Sequence, residues 1–185
     1  MTPSFLIIVP TYAGRTALLE RAVRSVEPQL GLDDQILIIT DGRVDVPLFG
    51  PQTRYLSGPE THDHAATQRN LALQMTWSQT HALFLDDDDQ FLPDVLPQLR
   101  GFVALHPDRF ILGRFIFKTG LLLWDTPTVT VGHIGTPSIV LPLEDRRFGV
   151  WTNSPTGDFD FIHSTIVARG DQPQWLNLVL QDMRP

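Results

Sequence analysis

The sequence predicts an α/β fold: a mostly parallel sheet flanked by helices, with a small antiparallel extension in the second half. Three observations predict it. Continuous apolar runs at residues 5–9, 35–39 and 82–85 are short and rich in β-branched or aromatic side chains, as buried strands are. Segments with helical spacing of apolar residues separate them. Each run ends in a polar loop, and in open α/β sheets such loops converge at one edge to bind ligands.

In chain order, residues 5–9 form a strand stopped by Pro10, and residues 17–26 form a helix with Thr16 as N-cap and Glu20 near the capping-box position. Residues 35–39 are a second strand ending at Asp41-Gly42, and residues 54–56 a short third. A helix is expected over 64–77, the strand at 82–85 follows, and Pro93 opens a helix to residue 105. This β-α-β-β-α-β-α series implies a parallel sheet. The pattern then changes. Residues 109–118 and 121–131 are expected as strands joined near Gly120, and 138–142 as another. A helix is expected from Gly157 toward Ala168, and a last one over 174–180. One domain, 1–185, accommodates all of this, with residues 1–105 as its ligand-binding half and 106–185 as an acceptor-side half.

The most informative motif is the run Asp86, Asp87, Asp88, Asp89 at the end of the third apolar strand. Like charges about 4 Å apart cost roughly 4 kcal/mol at an effective dielectric near 20. A cation, raised pKa values or wide splaying must relieve that. A divalent metal with oxygen ligands is the simplest relief, and it often carries a phosphorylated substrate. The alternative is a turn whose acidic residues favour the start of the next helix.

Composition narrows the function. A net charge of −7 argues against nucleic acid or an anionic membrane as a bulk partner. The absence of cysteine excludes disulfides and thiolate metal sites and fits a cytoplasmic protein. No stretch has the length needed to span a membrane, so direct membrane insertion is not expected.

With these elements in place, the motifs resemble those of the family 2 glycosyltransferases, which have the GT-A (Rossmann-like) fold and use nucleotide-sugar donors. The carriers are Ile7 to Tyr12, Ser25-Val26 with Gln29, Ile38 to Gly42, Gln68-Arg69-Asn70, Leu85 to Asp89 with Leu92-Pro93-Asp94, and Gly157 to Asp160. Three positions depart from the family pattern: Ala13 stands for Asn, Thr40 for an aspartate and Gly157 for a glutamate.

The resemblance implies a metal-dependent, inverting transfer of a sugar from a nucleotide-sugar, most commonly a UDP-sugar, to a glycan or other hydroxyl acceptor. Pro10, Thr11, Tyr12 and Asp41 would surround the nucleotide base, and Arg69 would reach a donor phosphate or pair with an aspartate. Asp88 would bind Mn²⁺ or Mg²⁺ directly, Asp86 would contact the donor's ribose or a metal-bound water, and Asp87 and Asp89 would join them or cap the next helix. Asp158 would act as base on the acceptor hydroxyl, with Asp160 competing for that role. Trp151 would offer the acceptor a stacking face.

His62-Asp63-His64 reads as a polar loop beside the Arg69 helix rather than a transition-metal site, and His163 as a buried structural histidine. Core packing is the expectation for Trp124 and Trp175. Thr40, Gly157 and the short sequence after the last acidic motif leave one competing reading from another class: a catalytically weak sugar-nucleotide-binding module.

Overall fold

The computed structural model describes residues 2–184 and builds them around one nine-stranded sheet. Its elements are β1 (Phe5–Thr11), α1 (Thr16–Val26), β2 (Gln35–Thr40), β3 (Thr53–Ser57), α2 (Ala66–Gln74), β4 (His81–Phe84), β5 (Gln90–Phe91), α3 (Val95–Leu105), β6 (Ile111–Ile116), β7 (Leu122–Leu123), β8 (Ile139–Pro142), α4 (Gly157–Arg169) and β9 (Gln174–Asp182). The strand order is β3-β2-β1-β4-β8-β6-β9-β5, with β7 paired to β6. The first four are parallel. β8 runs antiparallel to β4 and β6, and β9 returns parallel to β6.

The period-two alternation of the buried strands sorts the core into two layers. Phe5, Ile7 and Val9 of β1 face one way, with Ile36, Ile38 and Leu83, and are covered by Leu19, Val23 and Val26 of α1 and Leu96, Leu99 and Val103 of α3. Leu6, Ile8, Leu37, Ile39 and Phe84 face the other way, under Ala72 and Leu73 of α2 and Phe161 and Ile162 of α4. Because β1 lies between β2 and β4, the chain leaves it toward one side through α1 and comes back to the other through α2. That switch point opens a crevice at the carboxyl ends of β1, β2 and β4.

Several expectations are corrected. Residues 174–180 form strand β9, not a helix. Pro173 and the left-handed Gly170 end α4, and the segment then finds ladder partners on both sides, β6 and β5. A seven-residue helix has little intrinsic stability to set against that. Only Leu122–Leu123 of residues 121–131 is strand, because the Asp125 carboxylate accepts the Thr126 N–H at 2.7 Å and turns the chain. Thr16 is the first residue of α1 and caps nothing. Asp94, in left-handed backbone (φ 60°), rather than Pro93, precedes α3.

Candidate functional site

The crevice is a cleft of about 460 Å³, within the range of small-molecule sites. The end of β1 and the loop after it supply Pro10, Thr11, Tyr12 and Arg15, the residue after β2 is Asp41, and the turn after β4 supplies Asp86, Asp87 and Asp88. His62, His64, Gln68 and Arg69 close it from the α2 side. Thus every residue expected around the donor lies on one cleft.

Residues of α1 and of the turn after it hold the aspartate turn and the segment that follows it. Arg21 donates to the Asp88 carbonyl at 2.8 Å, and Ser25 Oγ accepts the Phe91 N–H at 3.0 Å. Gln29 donates to the Leu92 carbonyl at 3.0 Å and accepts the Leu96 N–H at 3.2 Å. The turn is therefore fixed on the sheet before any ligand arrives.

Three consecutive residues of α2 tie three walls together. Gln68 donates to Asp41 at 2.9 Å. Arg69 pairs with Asp86, donates to the His64 carbonyl at 2.9 Å and lies 4.8 Å from the centre of the Trp151 ring. Asn70 makes two 2.9 Å hydrogen bonds with the Trp151 backbone, one through each end of its amide. Arg69 is only 5% exposed, and both its amino groups bond within the protein while Nε is buried without a partner, so of its two expected roles the structure shows pairing with an aspartate.

The four aspartates have four different surroundings. Asp86 sits where limited access to water raises its carboxyl above the ordinary range. Arg69 opposes that, and neighbouring Asp158 adds to it. Asp87 is buried, accepts the Thr11 hydroxyl at 2.7 Å and takes two hydrogen bonds from the Arg15 fork, Nε at 3.1 Å and Nη2 at 2.7 Å. Asp88 lies on the cleft with Arg15 Nη2 at 3.0 Å and Lys118 Nζ at 3.9 Å. Asp89 is 1% exposed, lies off the cleft and has no hydrogen-bond partner for either oxygen. Burial and the charges of Asp86 and Asp88 push it up to about 8.

Asp41 holds a loop as well as lining the cleft. Its carboxylate accepts the N–H groups of Thr61 (2.7 Å) and His62 (2.9 Å), the Thr61 hydroxyl (3.2 Å) and Gln68. Burial would raise its pKa, but these donors hold it below the ordinary carboxylate range. Three of these donors fall on Oδ1 and one on Oδ2, where the His62 ring also stands at 3.2 Å, so Asp41 anchors the loop while standing on the cleft. The anchored loop contains three residues in left-handed backbone, His62, His64 and Ala65, a strained arrangement of the kind kept at ligand sites.

The late acidic motif separates the two expected bases. Asp158 is close enough to raise the Asp86 carboxyl, and its Oδ2 accepts the Thr136 N–H at 3.1 Å. Asp160 instead accepts the hydroxyls of Thr152 (3.2 Å) and Thr156 (3.3 Å). A Cβ at Gly157 would stand 2.7 Å from the Thr152 carbonyl oxygen, so this backbone has no room for the glutamate of the family pattern.

Trp151 is a correction. It is 3% exposed, stacks on Phe161 with ring centres 4.2 Å apart and carries the Arg69 guanidinium. It supports the cleft wall instead of presenting a face to an acceptor. His163 is also corrected: it is exposed and stacks on Phe159. Trp124 and Trp175 pack edge to face, as expected.

Sequence reading missed Arg15 and Lys118. Arg15 had a signal, since it follows the first strand's loop directly. Lys118 had none, because it reaches Asp88 from the turn after β6.

Among the described residues no three His, Asp or Glu side chains converge to cage a metal. Asp86 and Asp88 offer only carboxylate oxygens on one cleft wall. That suits Mg²⁺ or Mn²⁺ held by one or two carboxylates together with phosphate oxygens and water.

The profile of Glycosyl transferase family 2 matches residues 6–130. Among solved structures, S. aureus TarS 1–349 superposes with a TM-score of 0.71 at 17% identity, over 98% of this chain and 60% of that one. Its UDP complex gives 0.69 at 15%, over 97% and 60%, and its UDP-GlcNAc complex 0.70 at 15%, over 98% and 58%. The chain therefore spans about 60% of the length of these structures. No curated protein matches its sequence. Among the described residues no helix is long and apolar enough to cross a membrane. With the family profile covering well over half of the residues, and with the aspartate turn, the Gln68-Arg69-Asn70 helix and the switch-point cleft in their places, the chain belongs to glycosyl transferase family 2.

Proposed function

We propose that this chain transfers a sugar, with inversion, from a UDP-linked donor held in the switch-point cleft to a hydroxyl of a glycan or similar acceptor. The observation that carries the reading is the charge balance of the cleft. Asp41, Asp86, Asp87 and Asp88 face Arg15, Arg69 and, beside Asp88, Lys118. Four carboxylates already outnumber three side-chain cations, and a diphosphate adds more negative charge. A dication on Asp88, with Asp86 beside it, restores the balance. When bound it would neutralise charge developing on the departing diphosphate. The UDP and UDP-GlcNAc complexes of the structurally similar TarS support the choice of nucleotide.

The residues divide the remaining work. Tyr12 is half exposed on the cleft wall and offers a stacking face to the base. Arg69 holds Asp86 in place. Asp158 has Oδ2 fixed by the Thr136 N–H, which leaves its other oxygen to take the acceptor's proton as the new bond forms. Asp160 is committed to Thr152 and Thr156, so Asp158 is the preferred base. A single in-line displacement with one base inverts the anomeric centre.

Gly157 favours the competing reading, a binding module with weak turnover, because the acidic neighbour of the base cannot be accommodated on this backbone. Calorimetric titration with UDP, GDP and dTDP, with and without Mn²⁺, followed by UDP-sugar turnover, tests both. Metal-dependent UDP binding with turnover that Asp158→Asn abolishes supports the transferase. Binding without turnover selects the module. No nucleotide binding overturns both.

A further inference from the structure

Arg15 occupies a position that none of the expected site residues fills. Its Nε and Nη2 grip Asp87, and Nη2 is shared with Asp88 at 3.0 Å. Its guanidinium lies 5.1 Å from the centre of the Tyr12 ring. Among the described residues Nη1 has no protein acceptor, and the side chain is 21% exposed on the cleft wall. Arg69, the other arginine of the cleft, is buried: Nη1 and Nη2 bond to the His64 carbonyl and Asp86, and Nε, without a partner, is shut off from solvent. A guanidinium has five N–H donors in a fixed fork suited to phosphate oxygens, and of the two arginines only Arg15 combines an amino group without a protein acceptor with a partly exposed side chain.

Its surroundings also set where it sits. Tyr12 and Asp88 both line the cleft, and Arg15 lies against both. A nucleoside diphosphate whose base lies on Tyr12 and whose phosphates approach Asp88 must pass the guanidinium. Asp87 is buried, and the Thr11 hydroxyl orients it from behind, so it holds the arginine by two bonds even when Asp88 is otherwise engaged.

We infer that Arg15 is the diphosphate-binding arginine of this cleft and that Asp87, held by Thr11, is the positioning residue that aims it. This rests on the donor reading above and deepens it. It also gives the second aspartate of the run a task other than metal binding or helix capping.

The test compares UDP, UMP and uridine by calorimetry with Mn²⁺ present, on the wild-type chain and on Arg15→Gln, Arg15→Lys and Asp87→Asn. The expected result is that Arg15→Gln weakens UDP by about tenfold or more, the scale of a lost charge-assisted hydrogen bond, and leaves uridine unchanged. Arg15→Lys should recover part of the loss, since a point charge lacks the fork. Asp87→Asn should lower UDP affinity in the same direction by a smaller factor. The readout is a ratio of affinities, so a variant that folds incompletely changes stoichiometry and not the ratio. If Arg15→Gln weakens uridine as much as UDP, Arg15 serves only to prop Tyr12, and the assignment is overturned. It is also overturned if UDP affinity is unchanged. A wild-type chain that fails to bind UDP at all overturns the donor reading itself, a separate outcome.

Discussion

The two walls of the cleft are each built on an arginine–aspartate pair, and they are opposites in burial. On the α2 wall, Arg69 is 5% exposed, pairs with Asp86, and is braced by Trp151 and the His64 carbonyl. On the α1 wall, Arg15 is 21% exposed, grips Asp87 and keeps donors toward the cleft. A buried arginine whose two amino groups both bond within the protein is scaffold. A half-buried one with donors unspent is available to a ligand. The same residue type beside the same aspartate run thus takes two roles, and access to water decides which.

The comparison is broken most strongly at Arg69. Arg69→Ala leaves Asp86 without its counter-ion and removes the brace on Trp151. Arg69 is buried but the Asp86 side chain is 31% exposed, so the loss falls at the lower end of the about 3–5 kcal/mol of a broken buried pair, which lowers the melting temperature by roughly 10 °C in a chain of this size. A thermal melt within a degree or two of wild type would show that Asp86 is solvated after all.

Asp89, buried off the cleft, comes next and has a defined pH signature. Its folded carboxyl titrates at about 8, against an ordinary 3.8. Between those values the folded chain binds more protons than the unfolded one, so this group's contribution to stability falls as pH rises through the window. Asp89→Asn should therefore gain on wild type between pH 5 and pH 8 by about 1–3 kcal/mol in urea melts. A gap that does not widen with pH would mean that Asp89 is ionised in the fold.

The smallest stability effect is expected at Arg15. Asp87 is buried but keeps the Thr11 hydroxyl, and Arg15 itself is partly exposed to water, so Arg15→Ala should cost about 1–2 kcal/mol while still altering nucleotide selectivity. A loss matching that of Arg69→Ala would make the two walls equivalent and remove the distinction drawn between them.

The parallel half of the sheet was legible because β1, β2 and β4 are buried on both faces and therefore carry uninterrupted apolar runs, a local signal. The second half was less so. Residues 174–182 carry Leu176, Leu178 and Leu180 at period two, all on one core layer, but Trp175 and Val179 at the alternate positions blur the alternation, and two neighbouring edges, β6 and β5, offered the hydrogen bonds that made the segment a strand. Residues 121–131 lost most of their expected strand to a turn set by one carboxylate. In the site, Tyr12, Asp41, Arg69, Asp86, Asp87 and Asp88 were named from the chain and do meet on one cleft. Trp151 was misjudged, because an aromatic residue in a loop gives no sign of what will cover it.

What the sequence determined by itself is the element order of the first hundred residues, the place of the aspartate run at a strand end, and the kind of chemistry four carboxylates invite. These follow from periodicity, turn residues and charge, which act over a few residues. Only the tertiary structure decided which arginine is spent and which is free, that Lys118 comes to Asp88 from the turn after β6, that Asp158 rather than Asp160 stands near Asp86, and that Gly157 leaves no room for a side chain. Each of those depends on burial and on distances between segments far apart in the chain, and these exist only once the sheet has closed the two halves around the cleft.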